Sequence, residues 1–261
     1  MHFIDTHAHL DLPEFQKDRK EVIERARQAD VKTMITVGIG IQECKAAIRL
    51  AEQYPFIYAT VGMHPHNAKH LDLDALDFLE EQARHEKVVA LGEMGLDFYR
   101  NRSPRQDQIR CFRAQLDLAG SLQLPVVIHD RDAHKESVAI LREENGGAFG
   151  GVIHCFSGDA AMAFACIDMG FHISIPGTVT FKNARSLHEV VRKIPLASLL
   201  IETDCPFLTP VPNRGKRNEP AYVVRVAKQV AALKKVSVEA VAETTTRNAR
   251  TVFGLPEAPK L

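Results

Sequence analysis

The sequence predicts an α/β fold in which eight parallel strands and eight helices alternate and close into a (β/α)8 barrel. The chain has 261 residues, and barrels of this kind typically take about 250 residues as one domain. A unit of a short β-branched run, a loop and an amphipathic stretch repeats, which indicates βαβ units. A doubly wound sheet would need a glycine-rich loop after the first strand, but His7-Ala8-His9-Leu10-Asp11 stands there. We therefore expect residues 1–261 to form a single barrel domain.

Eight short apolar runs predict the strands, because strands of a parallel sheet are covered on both faces. Their expected bounds are Phe3–Thr6, Thr33–Val37, Ile57–Val61, Val88–Gly92, Val126–His129, Val152–His154, His172–Ile175 and Leu199–Glu202. The helical stretches that follow them lie at about 14–29, 41–53, 73–84, 105–122, 133–144, 159–169, 183–193 and 220–234. A further stretch at about 237–253 predicts an extra C-terminal helix.

Composition is that of a folded domain with no strong bias toward one partner. Hydrophobic residues make up 45% and charged residues 25% of the chain, which allows a large core and disfavours disorder. The 33 basic and 33 acidic side chains cancel. This balance argues against a broad nucleic-acid-coating surface but leaves room for a local basic patch.

The cysteines and the N-terminus favour a cytoplasmic protein. The five cysteines are odd in number and widely spaced, which is typical of a reducing compartment rather than of a disulfide framework. No basic and apolar signal segment opens the chain, and no apolar run is long enough to span a bilayer. We expect no membrane partner, and the oligomeric state stays open.

Six side chains that can bind metal are expected at the C-terminal ends of the predicted strands. They are His7, His9, Glu93, His129, His154 and Asp204. In a barrel these strand ends open onto one face, where active sites are built. Any single histidine there is more often structural than a ligand, and chance histidines would be spread over both ends. The joint placement of six such residues therefore predicts a metal site.

The residue types also indicate how many ions the site holds. His7 and His9 are two positions apart on a strand, so both imidazoles point the same way. Six protein ligands are too many for one tetrahedral ion that must also keep a water, whereas two ions bridged by one carboxylate would use them all. Histidine and carboxylate together suit Zn, Mn, Co, Ni or Mg.

Several longer motifs carry a family resemblance that covers nearly the whole chain in order. They are Asp5-Thr6-His7-Ala8-His9-Leu10-Asp11, Gly62-Met63-His64-Pro65-His66, Gly92-Glu93-Met94-Gly95-Leu96-Asp97-Phe98, His154-Cys155-Phe156-Ser157-Gly158, Ile201-Glu202-Thr203-Asp204-Cys205-Pro206 and Arg217-Asn218-Glu219-Pro220. The sequence resembles the TatD family of metal-dependent deoxyribonucleases. The resemblance implies an amidohydrolase-like barrel.

The resemblance also implies a ligand set and an activity. One ion is expected on His7, His9, Glu93 and Asp204, and a second on Glu93, His129 and His154, so that Glu93 bridges them. The family is linked to Mg- or Mn-dependent cleavage of DNA, often from 3′ to 5′ on single strands. Asp204 and Glu93 are then the expected catalytic residues, and Asp204 could also accept a proton from the attacking water. Glu202 is expected to contact a metal ligand and orient it, rather than to bind an ion itself.

Basic side chains in loops on the same face are candidates for phosphate binding, because arginine forks suit phosphate oxygens. We single out His64, Arg131 and Arg217 as substrate-binding residues, with His66 less able to reach the metals. Any single arginine is more often a solvated surface charge than a ligand contact. Three clusters on one face nevertheless favour phosphate binding by the group as a whole. The other members are Arg100, Arg102, Arg105, Arg214 and Lys216.

Two other functions remain open from the sequence. A small-molecule hydrolase that cleaves a C–N or C–O bond would use the same barrel, and fold alone does not separate it from a nuclease. Balanced charge and the lack of an evident stacking-aromatic platform count against a DNA substrate. A non-catalytic metal-bound protein is the third alternative, but it gains nothing from a complete ligand set.

Overall fold

Eight strands pair in parallel, in the order in which they occur along the chain, in a computed structural model that describes residues 1–256. Residues 257–261 of the predicted domain lie outside this range. The strands are β1 (Phe3–Ala8), β2 (Val31–Val37), β3 (Ile57–Val61), β4 (Val88–Asp97), β5 (Val126–Arg131), β6 (Gly151–Ile153), β7 (Phe171–Ile175) and β8 (Leu199–Ile201). A parallel bridge between Ala8 and Cys205 joins the first strand to the segment after the last. The predicted (β/α)8 barrel is thus confirmed.

A helix follows each strand, and one more ends the described chain. They are α1 (Arg19–Gln28), α2 (Ile41–Gln53), α3 (Leu73–Ala83), α4 (Arg105–Leu122), α5 (His134–Glu143), α6 (Ala160–Asp168), α7 (Arg185–Lys193), α8 (Val223–Lys234) and α9 (Val238–Phe253). Side-chain caps start three of these helices, since Asp72, Asp159 and Ser237 each accept a backbone N–H three residues ahead. Within residues 1–256, none of the helices has the length and apolar character needed to cross a membrane.

The lower half of the barrel interior is a small apolar cluster that positions the site above it. Its strand members are Ile4, Ile35, Ala90, Val127, Val152 and Leu200, and Val252, Phe253 and Leu255 pack against them. Side chains two positions apart on a strand share a face. Because Val127, Val152 and Leu200 point inward, the residues two positions later also point inward, and these are His129, His154 and Glu202.

The structure differs from the predicted bounds where the strands meet the site. β4 continues to Asp97 rather than ending at Gly92, and Glu93 is an extra residue there, because Gly92 pairs with Val127 while Met94 pairs with Ile128. The first strand shows a similar register shift between Asp5 and Ala8. Such bulges bend a strand and redirect a side chain, and they are common beside active sites.

Two helices begin later than the sequence predicted because proline starts a separate turn before each. A 3-10 turn at Pro13–Phe15 precedes α1, and another at Pro220–Tyr222 precedes α8. Proline fixes its own φ and lacks an N–H, so it suits the first position of a helical turn. The helical stretches predicted from residues 14 and 220 are therefore each divided into two elements.

Candidate metal centre

Four donor atoms, from β1 and the residue that follows it, from β4 and from the segment after β8, converge in the mouth of the barrel. His7 Nε2 lies 3.3 Å from His9 Nε2 and 3.4 Å from Glu93 Oε2. Asp204 Oδ1 lies 3.4 Å from His9 Nε2 and 3.9 Å from His7 Nε2. Ligands about 2.0–2.1 Å from a tetrahedral ion are about 3.3 Å from one another. The spacing of these donors therefore fits one divalent cation at their centre.

The second oxygen of Glu93 faces a different set of imidazoles. Glu93 Oε1 lies 2.7 Å from His129 Nδ1, 3.4 Å from His154 Nε2 and 3.5 Å from His64 Nε2. The His154 ring also stacks on the His7 ring, with centroids 3.5 Å apart. One carboxylate thus lies between two groups of histidines, and each of its oxygens faces one group.

Contacts on the far side of each imidazole indicate which nitrogen is available to a metal. His9 Nδ1 lies 3.2 Å from the carbonyl oxygen of Val37, whereas His154 Nδ1 lies 3.1 Å from Glu202 Oε1 without the alignment of a hydrogen bond. An acceptor at Nδ1 keeps the proton there and leaves the Nε2 lone pair free for an ion. The free Nε2 of His9 faces Asp204 at 3.4 Å, and the Nε2 of His154 faces Glu93 at 3.4 Å, so the donor set fits divalent ions.

His64 has the opposite arrangement. Its Nδ1 accepts a hydrogen bond from the backbone N–H of His66 at 3.0 Å. The proton of the neutral ring is therefore on Nε2, the atom that faces Glu93, and this atom can donate but cannot ligate a metal. Burial holds the pKa of His64 well below its usual value, although Glu93 opposes the effect. His64 is thus a neutral hydrogen-bond donor at the edge of the site.

The buried carboxylates and imidazoles strongly affect one another's protonation. Burial alone would raise the pKa of Glu93, but the nearby His64 and His154 hold it well below its ordinary value. Burial disfavours the charged form of His9, yet hydrogen bonding to Asp204 outweighs it and raises the pKa of His9 to about 9. For His129, Asp97 and Glu93 likewise outweigh burial and raise the pKa to about 10. Protons and a cation therefore compete for the same donors.

Asp5 fixes the segment that carries Asp204. It is fully buried in β1, and its Oδ1 accepts the backbone N–H of Thr203 at 2.9 Å. The Thr203 hydroxyl lies 2.6 Å from Asp5 Oδ2, and the Asn218 amide donates to the Thr203 carbonyl at 2.8 Å. Asp204 itself has a left-handed φ of 54°, which is uncommon outside glycine and needs such support.

Asp97 plays a comparable part on the other side of the mouth. Its Oδ2 lies 2.7 Å from His66 Nε2 and 3.6 Å from His129 Nε2, while Oδ1 accepts the backbone N–H of Arg100 at 2.7 Å. His66 therefore contacts Asp97 rather than Glu93. The sequence reasoning assigned no role to Asp5 or Asp97. The available signal was a carboxylate within an otherwise apolar strand, which rarely occurs without a partner.

The two arginines predicted to bind substrate lie in different surroundings. Arg131 is exposed at the end of β5, and its guanidinium carbon lies 4.1 Å from the centre of the Tyr99 ring. Arg217 instead donates to both oxygens of Asp18 at 2.7 Å and to Glu219 at 3.2 Å. Of the other candidate arginines, Arg105 at the start of α4 lies over the ring of Phe98, and Arg214 lies over the ring of Phe181.

All five cysteines lie in the described part of the chain and are free thiols. Cys205, beside Asp204, is buried, whereas Cys155, beside His154, is partly exposed. Burial raises the pKa of both thiols well above the usual value. Neither is therefore a thiolate at neutral pH, which agrees with a packing role.

The barrel and its histidine- and carboxylate-lined mouth define the class of the protein, a metal-dependent hydrolase. The chain belongs to the TatD related DNase family, whose model matches residues 4–254.

Individual relatives agree with this assignment over nearly the whole chain. The uncharacterized metal-dependent hydrolase YabD of Bacillus subtilis is 49% identical over 249 residues, which are 95% of this chain and 98% of the relative. The 3′-5′ ssDNA/RNA exonuclease TatD of Salmonella typhimurium is 39% identical over 255 residues, with the same shares of the two chains. The crystal structure of YJJV, a TatD homologue of Escherichia coli K12, superposes with a TM-score of 0.92 at 33% identity, covering 97% of this chain and 98% of that one.

Proposed function

We propose that this protein is a deoxyribonuclease that removes nucleotides from the 3′ end of single-stranded DNA with the help of two divalent ions. The observation that carries the proposal is Glu93, whose two oxygens face two separate groups of histidines. A bridging carboxylate of this kind is typical of two-metal sites that hydrolyse phosphodiesters. The Salmonella typhimurium relative that is named a 3′-5′ ssDNA/RNA exonuclease supports the choice of substrate.

The proposed ligands divide into the two groups that share Glu93. His7, His9, Glu93 and Asp204 would hold one ion, and Glu93, His129 and His154 would hold the other. Divalent ions bound there would lower the pKa of water and offset the negative charge of a phosphate. The metal is proposed to be Mg, Mn, Zn, Co or Ni, all of which accept histidine and carboxylate to some degree.

Asp204 is the proposed general base. Its side chain is 13% exposed, whereas that of Glu93 is 3% exposed, so Asp204 is the carboxylate that solvent in the mouth can reach. Although burial acts in the other direction, hydrogen bonding to His9 and the nearby histidines hold the pKa of Asp204 below its usual value. The carboxylate is therefore ionised and able to accept a proton from an attacking water.

His64 and the loop arginines are the proposed contacts to the substrate. The Nε2–H of His64 can donate to a phosphate oxygen without carrying a charge. Arg131 is exposed and has no carboxylate partner among the hydrogen bonds of the described residues, so its fork is available to a phosphate. Arg217 is proposed as a weaker contact, because Asp18 and Glu219 already accept from it.

The test is a 5′-labelled single-stranded oligonucleotide incubated with the purified protein and Mg or Mn. We expect a ladder that shortens one nucleotide at a time, and a chelator should abolish it. Closed circular and fully paired DNA should be poor substrates, because an unpaired terminus can enter a concave barrel mouth and a duplex cannot. Glu93→Gln protein purified in the same way is the control for contaminating nucleases.

Other outcomes of the same assay would overturn parts of the proposal. Intact oligonucleotide with fully metal-loaded protein, together with turnover of an amide, lactone or deaminable base, would assign the site to a small-molecule hydrolase. Rapid nicking of closed circles would retain phosphodiester hydrolysis but refute entry by a free terminus. Full activity in excess chelator would refute the role of metal.

A further inference from the structure

Two aromatic rings are exposed on the face of the barrel that carries the metal centre. Tyr99 follows β4 and is 58% exposed, and Phe207 follows β8 and is 48% exposed. In a closed barrel of eight strands, β4 and β8 lie on opposite sides of the mouth. The two rings therefore flank the entrance to the site from opposite sides.

The rings are carried by hydrogen-bonded turns near proposed ligands. The turn of Tyr99 is fixed by buried Asp97, which accepts the backbone N–H of Arg100 and lies 3.6 Å from His129 Nε2. The Phe207 ring meets the His9 ring edge to face, with centroids 6.0 Å apart. Its backbone N–H donates to the carbonyl of Asp204 at 2.9 Å.

A buried amide holds the Phe207 turn from below. The Asn218 side chain donates to the carbonyl oxygens of Phe207 at 2.6 Å and Thr203 at 2.8 Å. This network fixes the turn, but the ring itself is left half in water. A turn that is fixed while its aromatic side chain stays exposed indicates a surface that can bind a ligand.

Charge beside the rings indicates the chemistry of that ligand. The guanidinium of Arg131 lies 4.1 Å from the centre of the Tyr99 ring, and that of Arg100 lies 5.6 Å from it. A cation for a phosphate next to a flat apolar face is the combination by which proteins bind single-stranded nucleic acid. An amide or lactone substrate would need neither of these groups.

We infer that Tyr99 and Phe207 bind the unpaired bases on either side of the scissile phosphate by stacking. The inference rests on the proposed function and adds to it the residues that recognise the bases. Stacking accepts any base, because every base has an aromatic face. It also favours unpaired ends, since a base within a duplex is already stacked on its neighbours.

The test compares 3′ ends with and without bases. Two oligonucleotides are used, one ending in thymidines and one ending in abasic residues, so that both present the same phosphates. Binding is measured by fluorescence anisotropy on nuclease-resistant phosphorothioate versions, and cleavage is measured on the ordinary ones. The variants are Tyr99→Ala, Tyr99→Trp and Phe207→Ala. Phe149→Ala is the matched control, since Phe149 is 42% exposed at the opposite end of the barrel, ahead of β6.

We expect the wild-type protein to bind the thymidine end about tenfold or more tightly than the abasic end. Tyr99→Ala and Phe207→Ala should lose most of that preference while binding the abasic end as the wild type does. Tyr99→Trp should keep the preference, and Phe149→Ala should change nothing. Equal losses on both ends, or no preference in the wild type, would overturn the inference.

The two readouts separate this inference from the proposed function. Base-dependent binding that the alanine variants abolish would support stacking even if the wild-type protein cleaved neither end, and only the proposed nuclease activity would then fail. Cleavage of both ends at equal rates by every variant, with equal binding, would retain the nuclease and reject the stacking surfaces.

Discussion

The two sides of the barrel mouth are built differently, although both carry proposed metal ligands. On the side of β1 and β8, His7, His9 and Asp204 are tied together by backbone hydrogen bonds. Asp204 N donates to the carbonyl of His7, and His9 N donates to that of Cys205, at 2.9 and 2.8 Å. On the side of β4 and β5, His129 belongs to strand β5 and pairs with Gly95 in the sheet, and its imidazole lies 2.7 Å from Glu93 and 3.6 Å from Asp97.

The two sides also differ in whether their arginines are paired with carboxylates. Arg217, beyond β8, is bound by Asp18 and Glu219, whereas Arg131, at the end of β5, is exposed beside Tyr99. The charge of Arg217 is therefore neutralised within the protein, whereas that of Arg131 remains available. The comparison indicates that Arg131, on the side of β4 and β5, is the stronger candidate for a phosphate contact, whereas Tyr99 and Phe207 give each side a proposed contact to a base.

The largest expected effect follows from removing the residue that both sides share. Glu93→Gln keeps the shape of the side chain but removes the charge that offsets two cations. We expect both ions to be lost and activity to fall by more than about a hundredfold. This loss exceeds the effect, of about 10- to 100-fold, that is typical of changing a residue that only hydrogen-bonds to a metal ligand. Elemental analysis of the purified variant is the measurement.

Single-side variants are the controls for this prediction. His9→Ala should lose the ion on the side of β1 and β8, and His129→Ala should lose the other, so each should retain close to one ion. Glu93→Gln protein that holds two ions at wild-type occupancy would contradict the bridge.

The next largest effect is on metal binding, and it should distinguish Asp97, on the side of β4 and β5, from Asp5, on the side of β1 and β8. Burial acts against ionisation of Asp97, but His129, the Arg100 N–H and His66 hold its pKa far below the usual value. Burial raises the pKa of Asp5 to about 8, so Asp5 is largely neutral at pH 7. An asparagine amide can replace a neutral Asp5 and donate to the Thr203 hydroxyl, whereas Asp97→Asn removes a charge.

We therefore expect Asp97→Asn to weaken metal binding by about 10- to 100-fold and Asp5→Asn to weaken it by less. Titration of the metal-free variants with Mn, followed by calorimetry at pH 7, measures both. If Asp5→Asn had the larger effect, Asp5 would be ionised in the folded protein and the comparison of the two sides would be reversed.

The sequence predicted the barrel because the information is local. Alternating β-branched and amphipathic stretches follow from residue types a few positions apart, and α2 and α4 begin and end where expected. The proximity of His7 and His9 was also expected from the two-residue period of a strand, and their Nε2 atoms lie 3.3 Å apart even though β1 is irregular from Asp5 and ends at Ala8. The proposed sites at His129 and His154 needed only the rule that strand ends share one face.

Features that depend on distant partners could not be predicted in this way. The bulge at Glu93 arises from the register between β4 and β5. This register cannot be predicted from residues that are close in sequence. The ion pair of Arg217 with Asp18 joins residues 199 positions apart. No stacking aromatic platform was evident in the sequence, because the exposure of Tyr99 and Phe207 depends on the turns that carry them.

A smaller effect, on the salt dependence of DNA binding, should distinguish Arg131 from Arg217. Arg131→Ala should weaken binding to a single-stranded oligonucleotide and lower the slope of log affinity against log salt by about one unit or less. Arg217→Ala should lower the slope by less, because its charge is already paired. Binding at several salt concentrations, with metal content checked to be unchanged, measures both. Equal slopes for wild type and Arg131→Ala would place Arg131 among solvated surface charges.

The smallest expected effect is a pH-dependent contribution to stability just beyond β5. His134 lies 2.6 Å from Asp130, and this hydrogen bond raises the pKa of His134 above its ordinary value, against partial burial. A histidine with a raised folded pKa stabilises the protein fully below its unfolded pKa of about 6.5 and loses that contribution as pH rises through the folded value. The loss in free energy of unfolding on His134→Ala should therefore be larger near pH 6 than near pH 9, and below about 1 kcal/mol because the pair is partly exposed. Urea unfolding of metal-free protein at both pH values measures it, with Lys135→Ala as the neighbouring control; a loss that grows with pH would show that His134 is neutral in its contact with Asp130.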